Sequence, residues 1–288
     1  MKKVFVVGAR RAVLGGAIAL GLVLGTSVAV GQGVAGAPKA AAKGGKIDAK
    51  EANDALKSSD SARIESALVN IRAAGKDGGG RAFTAAIVGR LKIGLPKELV
   101  RKALDALAEL EDPTSTEAGE MYLEHRDGEV RLSAVRVLGA AKTPAAVKGL
   151  RLALGDGDPR VRGLAATLLG ATKAADAVPD LVAALDKGIN EAAVSIGQLC
   201  DSKSCDALLD RLKNKPFDVI STGLQQELLR KDVSDDVKKK VITAVRELAS
   251  QKAREFLVEV KGAWPKDGSK AILDALDKAI KDLEGASK

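Results

Sequence analysis

The chain has 288 residues, with 46 Lys+Arg against 38 Asp+Glu and a net charge of +8. Apolar residues at 46% exclude general disorder, and aromatics at 2% argue against most all-β architectures, which lean on aromatic and β-branched side chains. One His and two Cys leave little material for a transition-metal or His-dependent centre, so no cofactor and no metal is expected.

The charge is concentrated at the N-terminus. Residues 1–31 carry Lys2, Lys3, Arg10 and Arg11 and no acid, and residues 32–50 carry four lysines and Asp48. Residues 51–288 therefore hold 38 basic and 37 acidic residues, a net of +1, which speaks against a nucleic-acid partner. A basic start, an apolar run from Ala12 to Val30 and small residues through Ala35-Gly36-Ala37 have the layout of a secretory signal. Cleavage is expected after Gly31 and as late as residue 37, although Pro38 disfavours the later bond. The 19-residue run also reaches the roughly 17–25 residues of a membrane anchor, which is the alternative fate. The expected location is the periplasm or the exterior, with attachment to the inner membrane only if the signal is retained. Residues 32–50, mostly Gly, Ala and Lys, read as a flexible tether.

Residues 51–288 repeat. Asp60, Ala67 and Ile71 open a first helical pattern, and Gly78-Gly79-Gly80 reads as a flexible bend. Leu99-Val100-Arg101 opens the next helix, and Thr114 with Glu117 has the spacing of a capping box. Val130, Arg131, Ala134, Leu138 and Gly139 then recur 31 residues later as Val161, Arg162, Ala165, Leu169 and Gly170. Val147 and Leu150 recur as Val178 and Leu181, and a shorter copy offers Ile196-Gly197, Cys205 and Leu208. The spacing i, i+4, i+8 predicts one apolar stripe per helix, with the glycine as C-cap and a second amphipathic helix after a short turn. The phase around Lys215–Lys231 is open. Ser234 to Val245 gives a further copy, and Asp267 to Leu283 a last helix. Lys238-Lys239-Lys240 reads as a solvated helix face, and Trp264 as a lid on the last helices or a partner anchor.

The pattern Asp-x-x-Val-Arg-x-x-Ala-x-x-x-Leu-Gly, clearest over residues 127–187, resembles the HEAT repeat in the short bacterial form seen in phycobilisome-lyase-type proteins. The resemblance implies an all-α, right-handed solenoid of about six helix pairs, because neither helix of a unit buries its stripe alone. It also implies an inter-repeat ladder of Asp127, Arg131, Asp158 and Arg162. The second helices are expected to line a concave binding face through Lys148, Arg151, Asp180, Asp206, Asp210 and Arg211.

In this register Cys200 and Cys205 bracket the turn between two antiparallel helices. An exported chain meets an oxidising compartment, so a structural disulfide is expected. A metal there lacks partner ligands, because His125, the one His, belongs to another unit. His125-Arg126-Asp127 mimics a kinase loop without the Asn that should follow, and Asp156-Gly157-Asp158 mimics a calcium loop spoiled by Pro159 and Val161. With no catalytic set in evidence, the expected function is a non-enzymatic exported scaffold that binds a protein or peptide. The alternatives are a HEAT-like lyase- or isomerase-type enzyme, for which Tyr122 and His125 are the nearest candidates, and a signal-anchored envelope protein.

Overall fold

The structure, a computed structural model, describes residues 47–286. The signal segment and most of the tether lie outside them. The described residues are built from helices in the order α1 (Ala49–Lys57), α2 (Ser61–Ala74), α3 (Thr84–Ile93), α4 (Lys97–Leu110), α5 (Thr116–Met121), α6 (Gly128–Ala141), α7 (Pro144–Ala153) and α8 (Pro159–Ala171). They continue with α9 (Val178–Asp186), α10 (Ala192–Leu199), α11 (Asp206–Leu209), α12 (Phe217–Leu229), α13 (Asp235–Glu247), α14 (Gln251–Gly262) and α15 (Lys270–Ala286). None of the described helices is long and apolar enough to cross a membrane. The predicted tether ends two residues early, because Asp48 accepts the Glu51 amide at 3.0 Å and starts α1 at Ala49.

The architecture is the helical solenoid that the repeat pattern predicts. The even-numbered helices α2, α4, α6, α8, α10 and α12 pack side by side in a row, each against the one a repeat away. The stripes meet in that row: Val130, Ala134 and Leu138 of α6 and Val161, Ala165 and Leu169 of α8 are all essentially inaccessible. Their burial drives the stacking, at about 25 cal/mol per Å² of apolar surface removed from water. The uncertain stretch near Lys215 resolves the same way. The second helix α11 is a stub of four residues, and α12 takes the row position beside α10.

The helix starts are capped by the aspartates of the repeat motif. Asp60, Asp127 and Asp158 accept backbone amides two residues on, at 2.8–2.9 Å. The Thr114–Glu117 capping box does not form. Asp112 instead accepts the Thr114 amide at 2.9 Å and starts a 3-10 turn, Pro113–Ser115, ahead of α5. Gly78–Gly80 is a packed turn and not a loose bend: Gly80 is buried, and a β-carbon there would come within 2.6 Å of the Gly75 carbonyl oxygen.

The motif glycines also do something other than cap. Gly139, Gly170 and Gly197 lie inside their helices, and α6 ends instead on Lys142, whose φ of 55° is left-handed. A β-carbon on Gly139 would meet Leu168 at 2.7 Å, and one on Gly170 would meet Ser195 at 2.6 Å. The closest approach joins α10 to α12. A β-carbon on Gly197 would stand 2.0 Å from the Gly223 carbonyl oxygen, and one on Gly223 would stand 2.2 Å from the Ala193 carbonyl oxygen. These positions carry glycine because the next helix occupies the space of a side chain.

Gly197→Ala should therefore lower stability by about 1–3 kcal/mol, as overpacking against backbone does. Gly262→Ala, where a β-carbon would meet nothing within 4 Å, should change it by less than about 1 kcal/mol. Urea midpoints of the two variants check both; equal midpoints would show that α10 and α12 do not touch.

Candidate functional site

The expected ladder forms only in part, and with other partners. Asp127 and Asp158 turn their carboxylates toward the amides they cap. Asp127 also takes an ion pair from Lys97 one repeat back, at 2.7 Å, and that hydrogen bond draws its carboxyl down to about 2. Asp158 pairs with Arg160 of its own helix, while Arg160 reaches back to Glu129 at 2.6 Å. Arg131 crosses to Asp156, not Asp158, through two parallel bonds of 2.8 Å. This fork is partly buried and is the stronger kind of ion pair. Arg162 does not cross. Both arginines close their own inter-repeat loop, Arg131 on the carbonyls of His125 and Arg126 and Arg162 on those of Asp156 and Gly157. The residue 31 positions after Asp156 is Lys187, a cation, so the acid that Arg131 grips has no counterpart for Arg162.

The residues expected on the concave face are mostly engaged in the same way. Arg151 pairs with Asp180 at 2.7 Å and Asp176 at 3.3 Å, Arg211 grips Asp186 at 2.6 and 2.7 Å, and Asp206 takes Lys240 at 2.5 Å. Asp210 is exposed. Lys148 lines a cleft.

That cleft, of about 710 Å³, opens between the end of α5 and the end of α7. It exists because α5 stops after six residues and hands over to the turns of residues 122–125. Met121 and Leu152 put exposed apolar side chains on it, 42% and 76% accessible. Glu120, Glu124, Arg126 and Lys148 supply charges of both signs. Its floor is firm. Gly149 makes room for Leu123 and Leu138, and the Arg131–Asp156 fork ties the two loops that bound it. His125 also lines the cleft, and its Nδ1 accepts the Asp127 amide at 3.1 Å, which leaves Nε2 as the nitrogen available to a ligand. The Tyr122 ring centroid lies 6.0 Å from that of His125, and the Tyr122 hydroxyl donates to the Leu91 carbonyl.

A second cluster lies under α10–α12. Cys200 and Cys205 flank the turn 201–204 with sulfurs 2.11 Å apart and α-carbons 4.9 Å apart, and both are buried. Glu227 of α12, absent from the sequence reading, sits against them, with a carboxylate oxygen and both sulfurs all within 4.8 Å of one another. Its side chain is inaccessible and neither oxygen has a hydrogen-bond partner. The signal that could have found it is an acid beside an apolar stripe, for Ile220, Leu224 and Leu228 surround it at helical spacing.

The lysine run and Trp264 also differ from a plain solvated face. Lys238 is buried, donates to the Arg230 carbonyl at 2.6 Å and lies 5.1 Å from the centre of the Trp264 ring. Trp264 packs on the core as a lid.

The match to a family model agrees with this geometry. Two overlapping stretches, 119–191 and 150–228, match the family model of HEAT repeats. Residues 119–228 are HEAT repeats. No curated protein matches the chain. Among solved structures, the complex of CpcE and CpcF of phycocyanin lyase from Nostoc sp. PCC7120 is 18% identical, covering 86% of this chain and 99% of that one, at a TM-score of 0.46. A designed armadillo repeat protein is 15% identical over 81% of this chain and 98% of its own, at 0.40. Human deoxyhypusine hydroxylase is 15% identical over 82% and 96%, at 0.36.

Burial, with Asp206 nearby, pushes the Glu227 carboxyl up from 4.5 to about 7, against the opposing pull of Arg230 and Lys240. Below pH 4.5 the group is neutral folded or unfolded and adds no pH dependence. As pH rises from 4.5 to 7 the unfolded chain releases the proton first, so stability falls by about 3 kcal/mol. Glu227→Gln should abolish that fall, whatever fixed offset the amide adds. Unfolding free energies at pH 4.5 and 8 check it; parallel profiles for the two proteins would show an unshifted carboxyl.

Proposed function

We propose that the chain is an exported, non-enzymatic scaffold whose HEAT-repeat domain holds a protein or peptide partner in the cleft between α5 and α7. The observation that carries this reading is the cleft itself. Its walls leave Met121 and Leu152 open to water while four of the six charged side chains first expected to bind are tied into ion pairs. Exposed apolar side chains rimmed by polar ones suit an interaction site. The mixed signs of Glu120, Glu124, Arg126 and Lys148 suit a polar polypeptide with one apolar side chain to insert, and suit a polyanion poorly. The alternative enzyme reading would centre on His125 in the same cleft.

The test is capture of a partner on the folded chain by mild crosslinking, repeated with two variants. Leu152→Asp should leave the melting temperature unchanged and weaken partner binding at least tenfold, because Leu152 is exposed and central to the apolar wall. His125→Ala should leave binding within a few-fold. Retained binding by Leu152→Asp would sink the cleft as the docking site, and turnover of a substrate lost in His125→Ala would favour the enzyme.

Export supports a further reading, that Cys200 and Cys205 are joined in the mature protein as a disulfide. A thiol assay on the denatured, unreduced protein should then find none. Cys205→Ser should cost about 2 kcal/mol in a loop so short. Two titrating thiols would refute the bond.

A further inference from the structure

The geometry points to Cys200, Cys205 and Glu227 as a metal site that the sulfur–sulfur bond closes and reduction opens, with zinc as the fitting ion. Four observations carry it, and none depends on the cleft. The two cysteines have four residues between them, a spacing that zinc sites use within one turn. Each of the three residues offers one ligand atom, and these atoms all lie within 4.8 Å of one another. A tetrahedral zinc needs ligand separations of roughly 3.3–3.8 Å, so the sulfurs move apart and the carboxylate closes in by about an ångström. Glu227 is inaccessible to solvent and has no hydrogen-bond partner for either oxygen, so a carboxylate is already buried there with nothing to hold. A buried carboxylate in that condition is paired or coordinates a metal, or it is a standing cost.

Charge is the fourth observation. Two thiolates and a carboxylate carry three negative charges. A divalent ion offsets two of them, and Arg230, which is also forked onto Asp232 at 2.5 and 3.0 Å, lies beside the third, its Nη1 donating to the Cys200 carbonyl at 2.8 Å and standing 3.8 Å from the Cys200 sulfur. Two thiolates select a soft or borderline ion, zinc or its analogue cadmium, over magnesium or calcium. Three protein ligands leave the fourth position of the tetrahedron for water.

The chemistry balances. A dithiol supplies two electrons and two protons, closes to its own disulfide and leaves Cys200 and Cys205 as thiols. The ion then displaces both thiol protons to solvent, and Glu227 binds as the carboxylate.

The experiment uses the full chain, reduced with a phosphine that leaves as its oxide with the oxygen of water. After removal of the phosphine, zinc is added, dialysed away and the retained metal measured, with helicity followed by circular dichroism. The reduced protein should keep about one zinc per chain and the oxidised protein none. Cadmium in place of zinc should give thiolate-to-metal absorption in the ultraviolet. Glu227→Gln should bind at least tenfold more weakly while keeping its helicity, and Cys200→Ser should not retain the ion. Equal retention by oxidised and reduced protein would overturn the site, as would full affinity in Glu227→Gln. If reduction alone melts the helices, recovery of helicity on adding zinc supports the site and failure to recover overturns it.

Discussion

Everything in this molecule depends on how closely the helices of one row approach each other. No helix here can bury its stripe alone, so each must lie against the helix one repeat away. Wherever that contact is tightest the chain has a glycine: Gly139 against Leu168, Gly170 against Ser195, and Gly197 backbone to backbone with Gly223. Packed this closely, the row acts as a stiff bar, since cores at this density resist deformation. The loops and second helices attached to it inherit fixed positions.

Electrostatics follows from the stacking. Adjacent units bring side chains one repeat apart into reach, and the charges pair across that distance, as in Lys97–Asp127, Arg131–Asp156, Arg160–Glu129 and Arg211–Asp186. Each exposed pair is worth about 1 kcal/mol at most, and the half-buried forks more. Their common effect is to neutralise the surface of a domain whose net charge is +1. The apolar side chains left open to water then stand where the second helix is too short to cover its neighbours, at the cleft beyond α5.

The repeat, its period and the buried stripe positions were legible because burial imposes helical spacing on the sequence directly. So was the placement of the two cysteines on either side of a turn, which follows from register. The role of the motif glycine was not, for a glycine late in a helical pattern looks the same whether it ends the helix or makes room for another. The partner of Arg131 was missed because an N-cap aspartate has its carboxylate turned to the backbone. Asp156, two residues earlier, accepts the Asp158 amide at 2.7 Å and still turns both oxygens to the guanidinium of the neighbouring unit. Glu227 escaped because its neighbours in space, Cys200 and Cys205, belong to another helix pair, and only the stacking of α12 on α10 brings them together.

That last juxtaposition sits where the repeat departs most from its own rule. Gly139 and Gly170 are 31 residues apart, but Gly170 and Gly197 only 27, and the helix that should follow α10 shrinks to the stub α11. A shortened unit brings α12 into backbone contact with α10 and draws its inner face over the turn between the cysteines. Packing alone would be satisfied there by leucine or glutamine, as it is along the rest of α12. A carboxylate with no donor lowers stability at neutral pH, and so does not follow from the fold. Departures from local consistency of this kind concentrate at functional sites, and here the unpartnered carboxylate stands against the sulfur pair.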